Sequence, residues 1–241
     1  MANLKAKASQ VTPATTAEGE QGYTTMSKLG ALWTADWKLQ LIAAGLAWGV
    51  HVGSLTASAA EIPVVGGGAG TVIDSAQPEL IIGVDAGYTL IPMEAHVSIY
   101  AHPVDDKGIN SILLFADRTS APQVAPSASS TAATPYNLLD GSTSFPGRAR
   151  QAISGDLTVA PIMDELLDYV AVQSAYTLVA ASGGSAAATL GVKMDYMPQA
   201  PSLVRGPCQV VLCYGATNAS GASGMGVIKV AVVPNSYFPV S

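Results

Sequence analysis

From Met93 to Tyr100 the chain alternates without a break. Met93, Ala95, Val97 and Ile99 fall on one side, and Glu94, His96, Ser98 and Tyr100 on the other. A period of two is the mark of a half-buried β-strand, because successive strand side chains point to opposite faces. The neighbouring runs have the same character. Pro78–Val84 (PELIIGV) is an apolar run that stops at Asp85-Ala86-Gly87, and Ser111–Asp117 (SILLFAD) follows the turn Asp105–Gly108. Further on, Asp156–Ala160 (DLTVA), Ala175–Ala181 (AYTLVAA) and Ala187–Met197 (AATLGVKMDYM) read as strands.

Cys208–Ala216 (CQVVLCYGA) and Gly226–Pro234 (GVIKVAVVP) flank the Gly-, Ser- and Asn-containing stretch 217–226, which predicts a hairpin. Pro161–Asp168 is the best helix candidate, with Pro161 suited to the first helical position and early acids suited to a helix N-terminus. With about eight to ten strands, few helices and no internal repeat, the expectation is an all-β fold. It is a two-sheet antiparallel sandwich with one or two short helices, and a single jelly roll is the expected topology.

The chain divides into an extended N-terminal arm, residues 1–37, and a β-sandwich body, residues 38–241. The arm is polar and rich in Thr, Ala and Gln (QVTPATTAEGEQGYTT), and a segment of this kind orders only against a partner. Lys5, Lys7, Lys28 and, at its end, Lys38 are balanced by Glu18, Glu20 and Asp36. That balance excludes an Arg-rich, genome-condensing arm, and a net charge of −6 provides no global attraction for nucleic acid. Thr119–Pro135 is rich in Ser, Ala, Thr and Pro and reads as a long surface loop.

Only 12% of the residues are charged, about half the share in an ordinary soluble domain. From Ala171 to Ser241 the charged side chains are Lys193, Asp195, Arg205 and Lys229 alone. Subunit packing would explain this scarcity, and so would a surface of Ser, Thr, Asn and Gln. Leu39–Ala60 has no charged residue, but its apolar centre, LIAAGLAWGVHVG, is shorter than a membrane-spanning helix. A buried strand or a short packed helix is expected there, with a spanning helix or a cleaved leader as the alternatives.

Cys208 and Cys213 lie five apart on one predicted strand, hence on opposite faces with Cα atoms roughly 17 Å apart. A disulfide needs less than about 7 Å, so both are expected as small buried residues. No spacing supplies a catalytic site. Gly66–Gly70 lacks the Gly-Lys-Ser/Thr end of a phosphate loop and reads as a flexible loop. Glu94 and His96 share a strand face, which more often means a hydrated sheet surface than a metal site; His51 and His102 have no ligand spacing. Asp105 and Asp106 form a turn, without the alternating ligands of a calcium loop. Asp164, Glu165 and Asp168 read as a solvated helix face. Asn218-Ala-Ser220 matches a glycosylation sequon without a secretory context. No GxSxG surrounds a serine, and neither cysteine has the setting of a nucleophile, so an enzyme is not expected. No cofactor or metal is expected either. Tyr23, Trp33, Trp37 and Trp48 gather near the arm–body junction and are read as interface anchors, with a sugar-stacking platform as the alternative.

PELIIGVDAGYTLIPMEAHVSIYA resembles the strand–turn–strand pattern of virion proteins of bacteriophages and related viruses. There a strand ends in an Ala-Gly turn and the next begins at an Ile-Pro step. The matching positions are Ala86, Gly87, Thr89, Ile91 and Pro92, about 25 residues of the chain in all. Locally, Gly87 can adopt positive φ and Pro92 suits an edge strand or a bulge. The resemblance implies a jelly-roll capsid or coat protein that self-assembles into a shell. Its partners would be copies of itself and other virion proteins, it would reside in the virion, and an internal membrane is a further contact. The rival reading is a carbohydrate-binding or adhesin-like β-sandwich, with a hydrolase third.

Overall fold

The computed structural model describes residues 6–8, 24–26, 36–52, 62–63, 73, 75–101, 109–118, 131–151, 157, 159–173, 190–216 and 223–238. Helix α1 spans Trp37–Ala43. The strands are β1 (Ala6–Ala8), β2 (Thr24–Met26), β3 (Ala47–Val52), β4 (Ile62–Pro63), β5 (Leu80–Val84), β6 (Tyr88–Ala101), β7 (Ile109–Asp117) and β8 (Thr131–Ala132). They continue with β9 (Tyr136–Asn137), β10 (Arg148–Gln151), β11 (Glu165–Gln173), β12 (Leu190–Tyr196), β13 (Val204–Arg205), β14 (Cys208–Ala216) and β15 (Ser223–Pro234). Within the expected arm, β1 and β2 pair with each other in parallel.

The remaining strands form two antiparallel sheets. One has the order β11-β7-β14-β5-β10-β8, the other β12-β6-β15-β3-β9, with β13 beside β6 and β4 beside β15. The expected two-sheet sandwich is therefore present. Its eight main strands pair in nested fashion. The outermost in sequence, β3 and β15, pair; inside them β5 pairs with β14, then β6 with β12, and innermost β7 with β11.

The core lies between the sheets. Leu80, Ile82 and Val84 of β5 meet Val210, Leu212 and Tyr214 of β14, with Val50 of β3, Met194 of β12 and Ile228, Val230 and Val232 of β15 opposite. Period two explains which residues are recruited, since the even-numbered positions of β14 and β15 face inward. The outer faces are also partly buried. On the six-stranded sheet Ile81, Phe115, Val211 and Cys213 cluster with Leu157. On the seven-stranded sheet Ala47, Ile91, Met93, Ala231 and Val233 are covered by Trp37, Leu41 and Ile42 of α1 and by Phe238. Because β5 is buried on both faces, it reads as an unbroken apolar run. Cys208 lies in the inner cluster and Cys213 in the outer one, with no disulfide between them, as the odd spacing requires.

Several expectations need correction. Cys208–Ala216 and Gly226–Pro234 do not form a hairpin: β14 pairs with β5 and β7, β15 with β3 and β6, in different sheets. A strand–turn–strand pattern is the same whether the connection turns within a sheet or crosses between two. Pro161–Asp168 is not a helix, because β11 begins at Glu165. The described part of Asp156–Ala160 is not a strand either. Leu157 makes one backbone bond to Ala76 O at 2.9 Å and sits in the outer cluster, while Val159 is exposed.

Met93 does not share a face with Ala95 and Val97. Val230 pairs with Pro92 and Lys229 with Glu94, which leaves Met93 as the extra residue of a bulge. The bulge shifts the alternation, so that Ile91 and Met93 join the outer cluster while Leu90, Ala95 and Val97 face inward. Pro92 is thus tolerated in a central strand because it sits at a bulge. Gly87 has φ 100°, the turn conformation read from the sequence. Leu39–Ala60 holds both a short helix and a strand, α1 and β3, before leaving the described residues at Gly53. Among the described residues no helix is long and apolar enough to cross a membrane.

Candidate functional site

Residues 159–171 form a shoulder along the β11 edge of the six-stranded sheet. Its backbone is held by buried and paired acids. Asp117, fully buried at the end of β7, accepts from Ile162 N at 3.1 Å and from Gln209 Nε2 at 2.9 Å. Asp164 Oδ2 accepts from Arg118 N at 2.6 Å. Arg118 pairs with Glu165 and donates to Leu203 O at 3.0 Å, and Ser202 donates to Glu165. The acids that resembled a helix N-terminus therefore fasten this segment to β7 and to residues 202–203. Asp168 Oδ1 accepts from its neighbour Tyr169 N at 2.8 Å and shares no helix face with Asp164.

With the polar groups turned inward, the apolar side chains point out. Val159, Ile162, Met163, Leu166 and Tyr169 are each at least half exposed. A register shift between Leu166 and Asp168 spaces Leu166 and Tyr169 three apart yet keeps both outward, while Leu167 and Val170 pack on the inner core. Leu203 and Met197 are exposed nearby. Among the described residues eleven large hydrophobics are exposed, and five of them lie on this shoulder, with Leu203 and Met197 beside it, which marks it as a patch rather than a scatter.

Burial alone would raise the Glu165 carboxyl, but hydrogen bonds from Ser202 and Arg118 outweigh it and hold the group below its ordinary range. Tyr196, behind the shoulder, is pushed up to about 12, first by burial and then by the Glu165 and Asp168 carboxylates.

A charged row crosses the outer face of the seven-stranded sheet. Glu94 receives Lys38 Nζ at 3.0 Å and Lys229 Nζ at 2.8 Å. Burial works to raise Glu94, but the two lysines more than offset it and lower its pKa. His96 Nδ1 lies 2.9 Å from Asp195 Oδ1, and Lys193 lies 2.7 Å from Asp195 Oδ2. Glu94 and His96 do share a face, as expected, with His96 Nε2 3.8 Å from Glu94 Oε2, and their other partners are lysines and Asp195. Among the described residues no group of three or more His, Cys, Asp or Glu converges as a metal site would require.

Of the predicted anchors, Trp37 and Trp48 are described, and they pack in different clusters, Trp37 on the outer one and Trp48 in the inner one. Trp48 is 5% exposed in the inner core, edge-on to Phe145 at 5.4 Å, so it is a core residue and not an interface residue. A tryptophan near a sequence boundary reads the same in either role; the inward position on β3 decides it. Trp37 opens α1, donates through Nε1 to Gln199 O at 3.2 Å and has Lys38 Nζ 5.6 Å from its ring centre. It joins the helix to the chain segment that borders the shoulder. Tyr23, Trp33, His102, Asp105, Asp106, Gly66–Gly70, the Ala175–Ala181 strand and the Asn218 sequon lie outside the described residues. The helix reading hid Leu166 and Tyr169; the signal that would have exposed them was the strand-forming run Tyr169-Val-Ala-Val172 directly behind the acids.

No protein-family model matches the chain, and no curated protein matches it.

Proposed function

We propose that the chain is the coat subunit of a virus particle, with a single jelly-roll body that assembles with copies of itself and with other virion proteins. The observation that carries the reading is the nested pairing of β3–β15, β5–β14, β6–β12 and β7–β11, the order in which a jelly roll is wound. The apolar shoulder supports it as an assembly surface. Completing the burial of half-exposed side chains such as Leu166 and Tyr169 contributes about 1 kcal/mol each, and a shell repeats the contact in every subunit.

The jelly roll also serves sugar-binding proteins, which need exposed aromatic rings on a sheet face. The described candidate is the His51–Tyr136 stack, with ring centres 4.9 Å apart. Light scattering after size exclusion, with electron microscopy of the same fractions, tests the coat reading. Large particles or capsomers are expected, and the double variant Leu166→Glu, Tyr169→Glu should leave folded single subunits. A wild-type chain that stays monomeric at every concentration, or a double variant that assembles as the wild type does, overturns it.

A further inference from the structure

Glu79 stands immediately before β5 with 1% of its surface exposed. Its backbone N–H donates to Leu212 O at 2.9 Å, which fixes the residue against β14. Both carboxyl oxygens are buried, and neither has a hydrogen-bond partner among the described residues. Two more buried polar atoms in this region are in the same state, the Tyr214 hydroxyl on β14 and Gln151 Oε1 on β10. Gln151 is in register with Leu80, the residue after Glu79. An ionised carboxylate placed here would find no hydrogen-bond donor among the described residues, so the site favours the neutral acid over the anion.

We propose that Glu79 is a proton-operated latch on the sandwich. Protonated, it lets β5 stay packed between β10 and β14; ionised, it drives the start of β5 toward water and loosens the sheet at its middle strand. The proposal does not depend on the coat reading.

The ionisable groups around the latch are few. Tyr214 faces it from β14, Cys213 is the next thiol on that strand, and Arg150 on β10 is in register with Ile81. Burial raises the Glu79 pKa from 4.5 to about 8. Tyr214 is pushed above its ordinary range, first by burial and then by the Glu79 carboxylate, so it keeps its proton where Glu79 loses one. The folded chain then holds a proton that the unfolded chain releases. The stability that Glu79 contributes is full below pH 4.5, falls as pH rises, and is gone above about pH 8. Each pH unit inside that window multiplies the unfolding constant by about ten.

The test compares the wild type with Glu79→Gln by urea unfolding and by hydrogen exchange of the 78–84 segment, from pH 5 to pH 9. The wild type should show the steep loss, with faster exchange of β5 once intrinsic rates are removed, and the amide variant should be flat across the window. Equal pH dependence in the two proteins overturns the latch. If Glu79→Gln does not fold, carbon-13 NMR of the wild-type glutamate carboxyls decides: a midpoint near 8 for Glu79 supports the proposal, and a midpoint near 4.5 overturns it.

Discussion

Trp48 separates a core role from an interface role more sharply than any other residue. Its side chain is 5% exposed, belongs to the inner cluster and packs edge-on to Phe145 at 5.4 Å. Truncating a buried tryptophan to alanine costs about 3–5 kcal/mol in lost transfer energy and cavity formation. The edge-to-face ring pair adds about 0.5–1.5 kcal/mol. Trp48→Ala should therefore lose about 4–6 kcal/mol, a large part of the roughly 5–15 kcal/mol that holds a domain together. At an m-value of about 2.5 kcal/mol/M, the urea midpoint should fall by about 2 M. Dilute protein, in which assembly contributes nothing, is the right sample, and Trp48→Phe offers a milder step if the alanine variant unfolds outright. Trp37→Ala is the control: that ring is only partly buried, and its loss should cost about 1 kcal/mol. A Trp48→Ala loss below about 1.5 kcal/mol at unchanged m, combined with failed assembly, would show that the ring serves an interface after all.

Two further outcomes follow from the sheet and its charges. A Cβ on Gly226 would meet backbone of β6, with Val97 Cα at 2.7 Å, so Gly226→Ala should cost about 2–3 kcal/mol. Gly87→Ala, with open space around it and only its positive φ to oppose it, should cost about 1 kcal/mol; thermal unfolding of the two variants checks the order. Glu94 and Glu165 both titrate below their ordinary range, so their contribution is present above pH 4.5 and is lost as pH falls through the lowered values. Glu94→Gln with Glu165→Gln should flatten the acid limb of the stability curve and remove about 0.5–1 kcal/mol at pH 7 in urea titrations; an unchanged acid limb would place the loss elsewhere.

Of the candidate site, the sequence offered the residues but not their arrangement. Glu94 and His96 were legible as neighbours on one sheet face because two residues of spacing is all that face-sharing needs. The shoulder was not legible. Its acids matched the start of a helix, and only their partners on β7 and in residues 202–203, more than 30 positions away, show them holding a strand edge with Ile162, Met163, Leu166 and Tyr169 turned outward.

What the chain determined alone was local. Alternation marked β6, and apolar runs bounded by turn residues marked β5, β7, β14 and β15; Gly87 marked the turn between β5 and β6; odd spacing put Cys208 and Cys213 on opposite faces. These follow from the two-residue repeat of a strand and the freedom of glycine, and neither needs a distant partner. The tertiary structure decided the rest. It sent β14 and β15 to different sheets, made Met93 a bulge that reverses the alternation, and moved Trp48 into the core. It also gave part of the low charge an intramolecular reason, since both sheets carry buried apolar clusters on their outer faces. The physical cause is the same in each case. A strand's pattern fixes which side chains lie together on a face, but which sheet, edge or covering element meets that face depends on pairings between residues far apart in sequence.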